Sequence, residues 1–182
     1  MLTIDCVPRT FIELLPEGTS IHGILAAFLT NGDPHILTKW DSWRRTWPNF
    51  QSFRDCMPIL WLESLQTSTC MADKKLGSKY GFLPPAFGFR NIVSENPMAN
   101  DREEIYQNIL ANQEKRAQAA WECVLQAFPD TDWETFCYHW LIINTRSFYY
   151  VTPGKEEPKD WNDAVGLVPI ADYFNHADDA VS

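Results

Sequence analysis

The sequence predicts an α+β protein that is mostly helical, with a few short strands near its C-terminal end. Three observations lead there. Asp101-x-x-Glu104 and Thr131-x-x-Glu134 are capping-box patterns, and each opens a stretch with apolar residues at helical spacing. Ser20 stands where it can cap a further helix. Beyond residue 146 the pattern changes to a β-rich run and a short apolar run separated by a polar loop.

Taken in order, residues 1–19 mix short apolar runs with Pro8, Pro16 and Gly18, and fit either one short strand or an extended lead-in. The helix capped by Ser20 begins at Ile21, carries Ile24, Leu25 and Phe28 on one face, and ends at Asn31-Gly32. From Trp40 to Trp61 the chain is rich in Trp, Phe and Arg, with Pro48 and Pro58 as punctuation. That composition predicts short helices held by aromatic anchors. Residues 67–100 show no sustained period and read as irregular. Two long helices follow, over 101–128 and 131–145, and their short connection predicts a hairpin. Ser147–Thr152 should be a strand, Pro153–Asp163 a loop, Gly166–Ile170 a short apolar run, and Asp172–Asp179 a turn or a single helical turn.

Composition narrows the function classes. The 182 residues are 45% hydrophobic and 14% aromatic, as in a globular domain and unlike a disordered chain. A net charge of −9 disfavours binding to phosphate backbones and suits either plain solubility or a basic protein substrate. Five cysteines, an odd number without Cys-x-x-Cys spacing, argue against a disulfide framework or a zinc knuckle. Cys137 and His139 lie two apart on a predicted helix, so they point in different directions. No apolar run approaches the ~20 residues needed to span a bilayer, and the N-terminus lacks the pattern of a signal peptide. An intracellular protein is expected, with nucleus and cytoplasm both open.

Two motifs carry the functional reading. Asn144-Thr145-Arg146-Ser147-Phe148-Tyr149-Tyr150 is followed by Gly166-Leu167-Val168-Pro169-Ile170-Ala171-Asp172-Tyr173-Phe174-Asn175-His176. Their order and separation resemble the SET-domain protein lysine methyltransferases. Within them, the branch related to the Rubisco large-subunit methyltransferase, where a helical insert splits the SET fold, is the most similar. Ser20-Ile21-His22-Gly23-Ile24-Leu25-Ala26-Ala27 and Met57-Pro58-Ile59-Leu60-Trp61 resemble that insert. The resemblance implies a partial SET domain over residues 1–182. Residues 20–145 would form the helical insert, and 146–182 would form SET core strands with an Asn-His turn.

It also implies a cofactor, S-adenosylmethionine (SAM), and a partner, a protein bearing a target lysine, with neither nucleic acid nor membrane. Arg146, on the family's first strand of this pair, together with Asn175 and His176, would bind the cofactor. Thr145 and Asp172 would line the lysine channel. The chemistry is apt, since an Asn amide both donates and accepts, and a guanidinium suits a carboxylate. Each residue also has a plainer reading: Asp, Asn and His form common turns, Arg146 can be an ion-pair residue, and Phe148–Tyr150 can be ordinary strand. His22 reads as a core or capped-turn histidine and His35 as a surface one.

No catalytic residue is assigned. The family's Gly-rich N-terminal strands have no recognisable counterpart before Ser20, and Tyr149, Tyr150 and Tyr173 do not match its catalytic tyrosine. That tyrosine is expected beyond Ser182. The reading is therefore a SAM-dependent protein lysine N-methyltransferase, inactive as these 182 residues. The alternative is a non-catalytic, SET-derived interaction module whose Trp-rich helices bind a partner.

Overall fold

A computed structural model describes residues 1–61, 98–158, 163–169 and 171, with the backbone alone over 98–111. The chain packs as two units, residues 1–48 with 117–182, and residues 49–116.

The first unit holds a small antiparallel sheet against helices. Its strands are β1 (Leu2–Thr3), β2 (Ser147–Tyr149) and β3 (Val165–Leu167), in the order β1-β3-β2. Leu2 pairs with Leu167, and Ser147, Phe148 and Tyr149 pair with Leu167, Gly166 and Val165. The ladder continues one step further, as Tyr150 N–H donates to the Ala164 carbonyl (2.9 Å). The sheet therefore joins the first residues of the chain to its C-terminal part. Asp5, just after β1, reinforces this by accepting hydrogen bonds from Lys155 and Thr152 in the loop after β2. Those bonds, chiefly that from Lys155, hold its carboxyl below the usual range. Central β3 is buried, and a Cβ on Gly166 would lie 3.0 Å from Tyr150 Cβ. A strand glycine here marks close approach of a neighbouring chain.

After a short helix α1 (Arg9–Ile12), Ser20 caps α2 (Ile21–Asn31), its hydroxyl accepting from Gly23 N–H (3.2 Å). Ile21 N–H is held by the Asp163 carboxylate (3.3 Å). The helix is more enclosed than a single apolar face requires: every residue from His22 to Leu29 is buried. It ends at Gly32, as the sequence indicates, but with φ −69°, outside the left-handed region. What demands glycine is space, since a Cβ would lie 2.4 Å from the Phe28 carbonyl oxygen. Short helices α3 (Pro34–Leu37) and α4 (Asp41–Arg44) follow.

Residues 49–116 contain α5 (Phe50–Cys56), capped by Asn49, whose side chain accepts from Ser52 N–H (2.9 Å). Phe53 is buried, the Arg54 guanidinium lies 4.8 Å from the Phe50 ring centre, and Trp61 Nε1–H donates to the Arg54 carbonyl (3.0 Å). The short-helix, aromatic-anchor reading of this stretch holds. A long helix, α6 (Met98–Ala127), then runs from this unit into the first. It begins three residues before Asp101. Residues 67–97, read as irregular, lie outside the described residues, while Met98–Asn100 are already helical.

The second long helix is α7 (Trp133–Arg146). Its cap is Asp132, not Thr131: the Asp132 carboxylate accepts from Thr135 N–H (2.8 Å) and Thr135 Oγ1 (3.0 Å). Thr131 instead turns inward, its hydroxyl reaching the Phe128 carbonyl (2.8 Å) and Asn31 Oδ1 (3.1 Å). Trp121 on α6 packs on Trp133 and Phe136, with ring centres 5.4 and 5.3 Å apart, so the two helices meet near their connection. The main neighbour of α7 in the core is α2. Phe28, Leu25 and Leu29 of α2, Phe136, Ile142 and Ile143 of α7, and Leu2 and Leu167 of the sheet are all essentially sealed from solvent. No helix among the described residues is long and apolar enough to cross a membrane.

Candidate functional site

The residues singled out by the sequence divide between described and undescribed segments. Thr145 and Arg146 close α7 and lead directly into β2. Asp172, Asn175 and His176 lie outside the described residues.

Arg146 departs from its expected place on a strand: it is the last residue of a helix. The reason is local. Asn144 Nδ2 donates to the Trp140 carbonyl (2.8 Å) and Thr145 Oγ1 to the Leu141 carbonyl (2.7 Å), so both side chains tie themselves to the preceding turn. The helix thereby continues beyond Ile143, its last buried residue. The expected strand Ser147–Thr152 shrinks to Ser147–Tyr149, and the run Gly166–Ile170 becomes the strand Val165–Leu167.

The end of α7 is a suitable place for a cation, because the helix dipole favours positive charge there. Arg146 is half-buried, and its field reaches back along α7 to Tyr138. Burial pushes the Tyr138 phenol up, and Arg44 and Arg146 pull it partly back. The Tyr138 hydroxyl donates to the Pro48 carbonyl (3.0 Å). Thr145 is exposed, and with its proton committed to Leu141 its oxygen can only accept.

One functional candidate was not legible in the sequence. Asp41, Arg44, Arg45, Trp47, Tyr138 and His139 line a pocket of about 380 Å³ in the first unit. His139 is buried, and its Nδ1 lies 2.9 Å from Thr30 Oγ1. The Thr30 hydroxyl also reaches the Ala26 carbonyl (2.7 Å); with the hydroxyl proton directed there, Nδ1 is the nitrogen that donates to Thr30. Burial, with the Arg44 charge, drives the His139 pKa down to about 4, and the Thr135 carbonyl opposes this. The ring is therefore neutral near pH 7. Cys137 faces the core, where burial pushes its thiol up to about 11. No cluster of three or more His, Cys, Asp or Glu suited to a metal occurs among the described residues.

No family model matches the chain, and no solved structure matches it. It is similar to the ribosomal lysine N-methyltransferase set11 of Schizosaccharomyces pombe, with 32% identity over 100 residues. Those residues are 54% of this chain and 25% of the relative, so the chain matches about a quarter of that protein's length.

Proposed function

We propose that this chain belongs to the SET-type protein lysine N-methyltransferases and contributes a helical insert and part of a SAM pocket. The observation that carries the reading is the stretch of 100 residues 32% identical to a ribosomal lysine N-methyltransferase. The paired motifs around Arg146 and Asn175-His176 support it, as does the mixed fold of helices with a small antiparallel sheet.

The donor set fits the cofactor. SAM would supply the methyl group, and its tail presents a carboxylate and an ammonium. The Arg146 guanidinium would pair with the carboxylate from the end of α7. The Asn175 amide would donate to the carboxylate and accept from the ammonium, next to the backbone of His176. Thr145 would accept from the lysine amine, and Asp172 would attract the lysine as an ammonium before it loses its proton. The substrate would be a protein carrying that lysine.

Tyr149, Tyr150 and Tyr173 do not match the family's steering residue, so residues 1–182 alone should not turn over substrate. Radiolabel transfer from SAM to a protein extract tests this, alongside retention of labelled SAM by the chain. Retention without transfer is the expected result, and the absence of both would overturn the reading. Robust transfer would overturn the claim of inactivity while leaving the family reading in place. A second reading, a non-catalytic interaction module, is favoured by Phe148 and Tyr149, which are 43% and 59% exposed on β2. As a SET-derived module it predicts no methyl transfer, whether or not SAM is retained.

A further inference from the structure

The pocket between α4 and the middle of α7 has a charge pattern that the methyltransferase reading does not use. Its lining comes from two short stretches, residues 41–47 and 138–139. Arg44 Nη1 lies 3.3 Å from Asp41 Oδ1, one helical turn away, so these two charges largely offset each other. Arg45 is exposed and makes no ion pair among the described residues. His139 is neutral by burial. The lining residues thus sum to one net positive charge, on a protein whose net charge is −9.

The floor is aromatic. The Trp47 ring centre is 6.4 Å from that of Tyr138 and 6.2 Å from that of His139, and the Arg44 guanidinium lies 5.9 Å from the Trp47 ring centre. Trp43 buttresses Trp47 edge-on at 5.0 Å. Such packing holds Arg44 over a flat surface and limits the freedom lost when it meets a ligand. A guanidinium fork above an apolar floor recognises a planar oxyanion on a short aliphatic stem.

We propose that this pocket binds a carboxylate side chain, Glu or Asp, from an acidic segment of a partner protein. The charge count selects carboxylate over phosphate. One net positive charge matches a monoanion, whereas a phosphate near −2 would meet the Asp41 carboxylate with a charge to spare. The volume accommodates one such side chain against Trp47 and Tyr138. The Tyr138 hydroxyl, already donating to Pro48, serves as wall and not as donor. Asp41 acts as an internal competitor: the incoming carboxylate must share or take over Arg44. The proposal does not depend on methyl transfer or on SAM.

The test is a titration of the 182-residue chain, at low salt, with the peptide acetyl-Gly-Ser-Glu-Glu-Ser-Gly-amide, followed by NMR at the Trp47 indole N–H and the Arg45 side chain. Controls are the peptide with both Glu replaced by Gln, and a version with phosphoserine in place of Glu. Saturable shifts centred on the pocket are expected for the Glu peptide and not for the Gln peptide. Arg45→Gln, at an exposed position that the fold does not need, should weaken binding about tenfold, the loss of one charge-assisted contact. Asp41→Asn should instead tighten it, by about threefold, because Arg44 is released. Equal shifts with the Gln peptide, unchanged affinity in Arg45→Gln, or weaker binding in Asp41→Asn would each overturn the proposal. Tighter binding of the phosphoserine peptide would overturn the choice of carboxylate.

Discussion

His139 should make the protein acid-sensitive in a range where few other groups titrate. Its folded pKa is about 4, against 6.5 for an unperturbed histidine. The folded value is depressed, so the unfolded chain takes up the proton first. The stability linked to this group is fully present above pH 6.5 and is lost as pH falls toward 4. Two and a half pH units correspond to on the order of 3 kcal/mol at the limit, of which about 2 kcal/mol would be lost between pH 7 and pH 5. The physical reason is that protonation would place a second cation beside Arg44 in a buried position. The assay is urea unfolding at half-unit steps from pH 7.5 to 5, for the native chain and for His139→Asn. The Asn amide can still donate to Thr30 but does not titrate. The variant should be less stable near pH 7 through lost packing, and the gap should narrow by about 2 kcal/mol as the pH reaches 5. A constant gap across the range would show that His139 is not held neutral by burial, and the reasoning would fail.

Two further outcomes follow from local geometry. Gly166→Ala should destabilise the protein by about 1 kcal/mol, because the new Cβ meets the Tyr150 Cβ, which is fixed to the backbone and cannot swing away, and this outweighs the gain from removing a strand glycine. Thermal unfolding checks it, and an unchanged or raised Tm would mean that the strands move apart freely. Asp132→Ala should expose the first turn of α7 to faster amide exchange at Thr135, whereas Thr131→Ala should leave Thr135 protected and loosen the contact with Asn31. The reverse pattern would restore Thr131 as the cap.

The sequence conveyed the helices well where a local signal and the core agreed. Ser20 caps α2 as its position suggested, and the apolar stripe Phe136, Trp140, Ile143 does face the core. It was ambiguous where two readings differ by one residue. Thr131 and Asp132 are both good caps, and only the inward turn of Thr131 toward Asn31 decides between them. It misled at Arg146, because the β-forming residues after it drew the strand boundary forward, while the side chains of Asn144 and Thr145 hold the helix together. Strand β1 carries no periodic signal in two residues; it exists because β3 offers it an edge from more than 160 positions away. The pocket was invisible for the same reason. Trp47 reads as an aromatic anchor of a short helix, and nothing local announces that Tyr138 and His139 will stand opposite it and the neighbouring Arg44 and Arg45.

The central claim is that these residues form part of a SAM site, and calorimetric titration of SAM into the 182-residue chain, its Asn175→Ala variant and its Arg146→Gln variant tests it most directly. Asn175→Ala removes an amide that can donate and accept at once, at a cost of roughly 1–3 kcal/mol, or about one to two orders of magnitude in affinity. Arg146→Gln should weaken binding in the same direction. Saturable binding by the native chain, lost in step in both variants, is the predicted result. No binding by the native chain, or equal affinities in all three proteins, would contradict the account and leave Arg146 as a helix-end cation and Asn175 as a turn residue.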